Sequence, residues 1–316
     1  MIFLGIDAGG TKTTAVAADL NGEQIRTAQG APGAISAIGV SGVNSLITEL
    51  LKELDLYDSL DRLQAATFGF SGVGRADVKE KVENEIEKIG GNNFKLITDA
   101  ELLHYSAFGE SDGILLEAGT GAVIISGNNN DLTQIGGWGF LLGDEGGGYQ
   151  IGRDAIRNAL AENDKNLSVS NLSIEIMKFY GVEKRGELID VVYSADSVQK
   201  IISSSAYKVC EMAKQGDTDA QTIVEDAATH LSAALQTALV KYATDDLIKI
   251  ACAGSILSED SPVLDLFIKK VDNIGYNFEF IDIPIEPAAA GVLYAVNSAG
   301  EDATEQLLNS LKGITF

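Results

Sequence analysis

Two short stretches carry residues suited to phosphate chemistry. "GIDAGGTKT" (5–13) and "EAGTGA" (117–122) each close an apolar run with a carboxylate, Asp7 or Glu117, and then enter a Gly/Thr turn. Consecutive backbone amides in such a turn form an anion-binding concavity, and glycine leaves them unobstructed. Gly9, Gly10 and Thr11 in the first turn, and Gly119, Thr120 and Gly121 in the second, are therefore candidate phosphate ligands. Lys12 is either a counter-charge beside them or a solvated strand residue. The first stretch nearly spells a P-loop, but Thr11 stands where the lysine belongs. A P-loop must also open into a helix. Here the segment 12–20 is rich in Thr, Val and Ala and meets Asn21-Gly22, a hairpin signal, so the P-loop is excluded. Either turn alone could be a plain glycine-filled β-turn; the matched pair suits the phosphate chain of a nucleoside triphosphate.

Carboxylates stand beside these turns. Asp7 ends the first strand, where it could hold Mg²⁺ directly or through water. Asp99, in "LITDAELLHYSAFG" (96–109), sits at a strand end and helix start. It reads either as an N-cap or as a base that deprotonates an acceptor hydroxyl. His104, five residues further on, reads as structural. The glycine-dense "GGWGFLLGDEGGGYQIG" (136–152) requires close backbone approach to something. In it, Asp144 and Glu145 precede a helix and would cap it, or Asp144 would accept hydrogen bonds from substrate hydroxyls. Trp138, the only tryptophan, suits a core or a sugar-stacking role equally. In "ACAGSIL" (251–257), Gly254 and Ser255 end a strand with residues small enough for an adenine ring to lie on the backbone.

The elements that must position these residues recur. Strands are expected near 2–8, 12–20 and 23–29, then a helix over 40–54 with Val43, Leu46, Ile47, Leu50, Leu51 and Leu54 on one face. A strand over 65–70, a charged helix over 76–89, a strand over 94–99 and a helix from Ala100 complete this unit. The segment 112–139 repeats strand, glycine turn, strand, Asn-rich turn and strand. Later strands follow at 245–254 and 277–285, with a helix over 220–243 carrying Val224, Ala227, Leu231, Leu235 and Leu239 on one face. The chain is thus α/β, a duplicated βββαβα unit whose copies face each other. Residues 1–112 form the first lobe, completed by 300–316, and 113–299 the second, with inserted helices over 161–215.

Composition narrows the partners. With 23 Lys+Arg against 46 Asp+Glu, the formal charge of −23 disfavours nucleic acid and anionic membrane. Two cysteines, Cys210 and Cys252, are too few for a disulfide framework or a four-thiolate metal site. The opening "MIFLGI" is too short for a signal peptide, and no run approaches a membrane span, so a cytoplasmic protein is expected.

Taken together, "GIDAGGTKT", "TDA", "EAGTGA", "GGWGFLLGDEGGGYQIGRDAI" and "AGS" resemble the actin-like ATPase superfamily of sugar kinases, actin and the heat-shock chaperones. Within it the chain looks like the N-acetylglucosamine kinase branch, grouped with the BadF/BadG/BcrA/BcrD ATPases, over nearly its whole length. The resemblance implies two actin-like, ribonuclease H-like lobes about an interlobe cleft, with ATP and Mg²⁺ as cofactors. It implies that Thr11 contacts ATP and that Asp99 is the base on the sugar hydroxyl. Gly119 to Gly121 would border the phosphates and the sugar, with Thr120 serving either. Gly137, Trp138 and Asp144 would lie along the sugar, and Gly254 and Ser255 near the adenosine. Catalysis would be in-line transfer of the γ-phosphoryl group with lobe closure excluding water, and a homodimer is common among such kinases.

The chain departs from the pattern at two places. Ala34 stands near the position of a sugar-binding asparagine, and Ala122 replaces a serine after the second turn. Glucose or glucosamine therefore remain alternatives to N-acetylglucosamine, as does a non-catalytic sugar sensor. An activator ATPase of a radical enzyme would need thiolates in a cleft loop. Cys210 and Cys252 instead read as helix and strand residues.

Overall fold

The computed structural model describes residues 1–90, 93–129, 131–242, 247–272 and 274–316. The chain divides into two compact units. Unit 1 comprises residues 1–113, 127–132 and 282–316, and unit 2 comprises 114–126 and 133–281.

Unit 1 begins with β1 (Ile2–Ala8), β2 (Thr13–Asp19) and β3 (Ile25–Gly30). Helices α1 (Ile35–Ile38) and α2 (Val43–Glu53) lead to β4 (Leu63–Phe70), α3 (Ala76–Glu87), β5 (Phe94–Ile97) and α4 (Asp99–Phe108). The sheet order is β3-β2-β1-β4-β5, antiparallel where the hairpins run and parallel from β1 to β4 to β5. β1 lies at the centre, and its run from Ile2 to Ile6 is buried throughout because both its faces are covered. The expected stripe of α2 packs as its spacing dictates: Val43, Leu46, Ile47, Leu50, Leu51 and Leu54 are all buried.

Unit 2 repeats the plan. β6 (Gly113–Ala118), β7 (Ala122–Asn128) and β8 (Asp131–Gly136) come first, then a helical stretch, then β9 (Ile248–Ala253) and β10 (Phe278–Ile281). Read from the hairpin side, the order β8-β7-β6-β9-β10 is that of unit 1, strand for strand. The duplication expected from the sequence is thus present in the topology. The helical stretch holds α5 (Gly148–Asp164), α6 (Asn171–Tyr180), α7 (Leu188–Tyr193), α8 (Val198–Ser203), α9 (Ala206–Lys214) and α10 (Thr218–Leu239), with α11 (Pro262–Val271) between β9 and β10. Val224, Ala227, Leu231, Leu235 and Leu239 of α10 are buried together. Residues 243 and 245–246, the edges of the expected helix and strand there, and Asn130 of the Asn-rich turn lie outside the described residues.

The expected boundary at 299 is displaced. The chain returns to unit 1 at Asp282, so α12 (Pro287–Ser298) and α13 (Glu305–Lys312) belong to it. The cause is a backbone-on-backbone contact. A Cβ built on Gly5 of β1 would stand 2.0 Å from the Ala288 carbonyl oxygen and 2.7 Å from the Val292 nitrogen. Gly291 meets the Gly5 Cα in return, and α12 offers Ala288, Val292 and Ala295 as its buried face. Only small residues permit a helix to lie this close to the central strand. None of the described helices is long and apolar enough to cross a membrane.

Gly5→Ala should lower the unfolding free energy by about 2 kcal/mol or more, the scale of overpacking against backbone that cannot move aside. Urea or thermal unfolding reads this directly. A loss below about 0.5 kcal/mol would show that α12 yields more easily than the contact implies.

Candidate functional site

In unit 1 the first glycine turn is knitted to its surroundings through the backbone. Gly9 N–H donates to the Lys12 carbonyl (3.2 Å), and the Gly9 carbonyl accepts from Gly33 N–H (3.0 Å) and Ala34 N–H (3.1 Å). Ser71 N–H donates to the Ala8 carbonyl (3.0 Å) and the Ser71 carbonyl accepts from Ile35 N–H (2.9 Å). Two other stretches of chain, at 33–35 and at Ser71, thereby fix the turn. A Cβ at Gly10 would meet nothing within 4 Å, and its φ is not positive. Neither packing nor backbone strain within the chain explains that glycine, which leaves room for a ligand as its physical use. Lys12 has a partner of its own. Its ammonium donates to the Phe316 carbonyl oxygen (3.2 Å) and sits 5.9 Å from that ring's centre.

Asp99 is not the N-cap. Thr98 caps α4, accepting from Glu101 N–H (3.1 Å), while the Glu101 carboxylate accepts from Thr98 N–H (2.7 Å). This capping box places Asp99 at the first helical position and leaves the N-cap role to Thr98. The Ser71 hydroxyl and the amide of Ala100 hydrogen-bond to it, yet burial dominates and holds the carboxyl above its ordinary pKa. Asp7 is perturbed as well. Burial, then the charges of Asp99 and Glu286, push it up to about 7, with Lys12 opposing. Glu286, the residue before α12, was not singled out in the sequence; its one local signal is the Pro287 that starts the helix. Among the described residues no three His, Cys, Asp or Glu are placed to hold a metal ion together. His104 is buried, hydrogen-bonded to the Gly113 carbonyl (3.2 Å) and packed on Phe108, as a structural residue should be.

In unit 2 the second turn is held by the start of α5: Gly148 N–H donates to the Gly119 carbonyl (2.8 Å) and Tyr149 N–H to the Thr120 carbonyl (2.9 Å). Much of the glycine density nearby serves this packing. A Cβ on Gly147 would lie 2.7 Å from the Gly121 Cα, and one on Gly254 would lie 2.3 Å from the Ala118 carbonyl oxygen. Close approach of the turn and a φ of 91° both require glycine at 254. Gly119, like Gly10, has nothing within 4 Å of a Cβ.

Neither Asp144 nor Glu145 caps α5, whose N-cap is Gly147 without a side-chain bond. Asp144 is a buried residue with a φ of 64°, and one carboxylate oxygen accepts from Gly139 N–H (3.2 Å). The other reaches the second turn, where a Cβ on Gly121 would stand 2.3 Å from it. A non-glycine left-handed residue at such a place is a strain that functional sites carry. Trp138 is 69% exposed, which removes the core role.

A pocket of about 340 Å³ opens beside the second turn. Gly119, Thr120 and Ser255 line it, as their sequence positions suggest. The rest of its wall was not legible: Ser204, Tyr207, Glu211 and Lys214 come from α8 and α9 and the turn between them, in the helical stretch that matches neither repeat. Cys210 also lines it, its thiol pushed up to about 11 by burial, while burial pushes Cys252 up to about 12. Both are thiols rather than thiolates at neutral pH.

Comparison with known proteins agrees with this geometry. The chain is 28% identical over 314 residues to an N-acetyl-D-glucosamine kinase of Dictyostelium discoideum, covering 94% of this chain and 98% of that one. It is 27% identical over 298 residues to an N-acetylmuramic acid/N-acetylglucosamine kinase of Clostridium acetobutylicum, covering 92% and 97%. A solved candidate N-acetylglucosamine kinase from Chromobacterium violaceum shares the fold with a TM-score of 0.76 at 20% identity, over 92% of this chain and 98% of that one. A glucokinase of the ROK family from Streptomyces griseus, solved with glucose and AMPPNP, gives 0.52 at 15% identity, over 94% and 100%. The family model of the BadF/BadG/BcrA/BcrD ATPases matches residues 4–297. With that match spanning nearly all of both units, the chain belongs to the BadF/BadG/BcrA/BcrD ATPase family.

Proposed function

We propose that this chain is an ATP-dependent sugar kinase that transfers the γ-phosphoryl group of ATP to a hydroxyl of N-acetylglucosamine. The observation that carries the reading is Asp99: a carboxyl beside Asp7, relieved of capping by Thr98 and made more basic by burial. A base whose pKa rises toward the working pH takes a hydroxyl proton more effectively. Asp99 accepts the proton from the sugar hydroxyl, the oxygen attacks the γ-phosphorus in line, and ADP departs. The relatives named above, both kinases of N-acetylated amino sugars, support this acceptor.

The remaining roles are assigned by chemistry. The amides of Gly9 to Thr11 and of Gly119 to Gly121 bind phosphate oxygens, with the threonine hydroxyls as further donors. Asp144 and Thr120 accept and donate to sugar hydroxyls, Gly137 leaves the sugar space, and Trp138 offers an aromatic face. Gly254, Ser255 and the pocket beside the second turn take the adenosine. Lys12, bonded at Phe316, has no part assigned.

Asp7 fits a divalent cation on its own electrostatics, since two neighbouring carboxylates crowd it and a cation would relieve the repulsion. With no three such side chains grouped among the described residues, Mg²⁺ would rest on Asp7, directly or through water, with phosphate oxygens completing its shell. When bound it screens the phosphate charge.

ADP release with MgATP across N-acetylglucosamine, glucose, glucosamine, N-acetylmannosamine and a no-sugar control tests the reading. Release with N-acetylglucosamine is expected; release independent of sugar would mark an activator-type ATPase, and none at all would favour a sensor. Asp99→Asn should lower kcat by about 10²–10⁴-fold, the usual worth of a positioned base, with ATP affinity held. Turnover retained in that variant would remove Asp99 from the chemistry.

Asp7 gives a pH prediction with a definite sign. Its folded pKa of about 7 lies above the ordinary 3.8, so between these values the folded protein keeps a proton that the unfolded chain has lost. Stability from this group is complete below the lower value and falls as pH rises through the upper one. In metal-free protein, Asp7→Asn should therefore melt higher than the wild type at pH 8, with the gap closing toward pH 4. A variant that melts lower at pH 8 would contradict the assigned crowding.

A further inference from the structure

We infer that α9 is the wall on which the nucleobase lies, and that Tyr207 and Lys214 on this wall accept guanine as well as adenine. The inference rests on the kinase reading above, which gives the pocket beside the second turn to the nucleoside. It adds which residues meet the base and how strictly they read it.

Tyr207, Cys210, Glu211 and Lys214 all line the pocket of about 340 Å³. Their spacing puts them on one face of α9, and Tyr207 to Lys214 spans about 10 Å of helix. The face begins at the phosphate end. A Cβ on Gly148, whose N–H holds the second turn, would stand 3.4 Å from the Ala206 Cβ. A nucleotide with its phosphates on that turn therefore leads its nucleoside along α9. Tyr207 is 60% exposed, yet its ring is braced. It meets the Phe179 ring edge to face with centres 5.6 Å apart, and the Lys208 ammonium stands 5.8 Å from its centre. A braced ring at a pocket wall offers a stacking surface, and stacking tolerates any base because every base has a π-face.

The polar groups on the wall point the same way. Glu211 is spent locally: one carboxylate oxygen accepts from the Lys208 ammonium (2.6 Å) and the other from the Gln215 side-chain amide (3.3 Å). Lys214 has no ion pair among the described residues and is the cation of this pocket. The segment before α11 supplies acceptors. The Ser258 hydroxyl gives its proton to the Ser255 carbonyl (3.1 Å) and keeps only lone pairs, and Asp260 adds a carboxylate. An ammonium on a flexible stem can donate to N7 of either purine or to O6 of guanine. The hydroxyl and carboxylate acceptors can take the amino group of either base. Fixed backbone donors and acceptors would read one purine; these side chains read both.

Calorimetric titration of the full chain with ADP, GDP and inorganic tripolyphosphate, in the presence of Mg²⁺, reads base and phosphate recognition apart from catalysis. The wild type should bind GDP within about tenfold of ADP, as a stacking wall does. Tyr207→Ala should weaken both diphosphates by about five- to 150-fold, the usual worth of a stacked base, and leave tripolyphosphate unchanged. Tyr207→Phe, which keeps the ring, should match the wild type. Lys214→Met should weaken GDP about fivefold more than ADP, because guanine presents N7 and O6 side by side. GDP bound more than about tenfold weaker than ADP would reveal a base-reading site and overturn the inference. So would a Tyr207→Ala loss that extends to tripolyphosphate, no loss at all, or a Lys214→Met effect equal on both diphosphates. Sugar phosphate formed from MgATP and MgGTP, measured in parallel, separates the two readings. Both diphosphates bound without sugar phosphate would sink the kinase reading and keep the wall; sugar phosphate from ATP alone, with GDP unbound, would do the reverse.

Discussion

Burial of neighbouring carboxylates is the constraint on which unit 1 turns. Asp7, Asp99 and Glu286 arrive from the end of β1, the start of α4 and the residue before α12, and Asp7's own burial, followed by the charges of the other two, raises it to about 7. A fold left to optimise its own stability would disperse such groups or pair them. Here the backbone is committed to assembling them. β1 is central in its sheet, α12 is pressed onto β1 through Gly5 and Gly291, and Thr98 does the capping so that Asp99 need not. Charge held against its own preference is common where protons and phosphates are handled.

Unit 2 solves a different problem with the same topology. Its turn is held from behind by backbone: the first amides of α5, Gly147 and Gly254 all press on it. Glycine is required at those backing positions by close approach within the chain. At Gly10 and Gly119 no such approach exists; under the proposed function these are positions where phosphate would approach. The distinction separates glycines that build the site from glycines that leave it open.

Much of this was legible in the sequence because it is written in local patterns. The hairpin turns, the stripe of α2, the face of α10 and the repeated strand–turn–strand unit follow from periodicity and turn chemistry, and the sheets bear them out. Asp99 was legible as a residue at a strand end and helix start, but that it is not the N-cap was not, because the capping by Thr98 is seen only in the fold. Glu286 and the pocket wall from α8 and α9 were hidden, since both depend on segments far apart in the chain meeting in space. The boundary was expected at 299 instead of Asp282 for the same reason: nothing local in "EPAAAG" says that this helix belongs to the first strand.

Phosphoryl transfer to a sugar, as opposed to hydrolysis of ATP, is the claim on which the whole account stands. It is tested most directly by following a reaction of the protein with MgATP and N-acetylglucosamine by phosphorus NMR. The account predicts a sugar monophosphate ester growing in step with ADP and no inorganic phosphate beyond the no-enzyme control. Inorganic phosphate in place of the ester would contradict it, because Asp99 would then be activating water rather than a sugar hydroxyl.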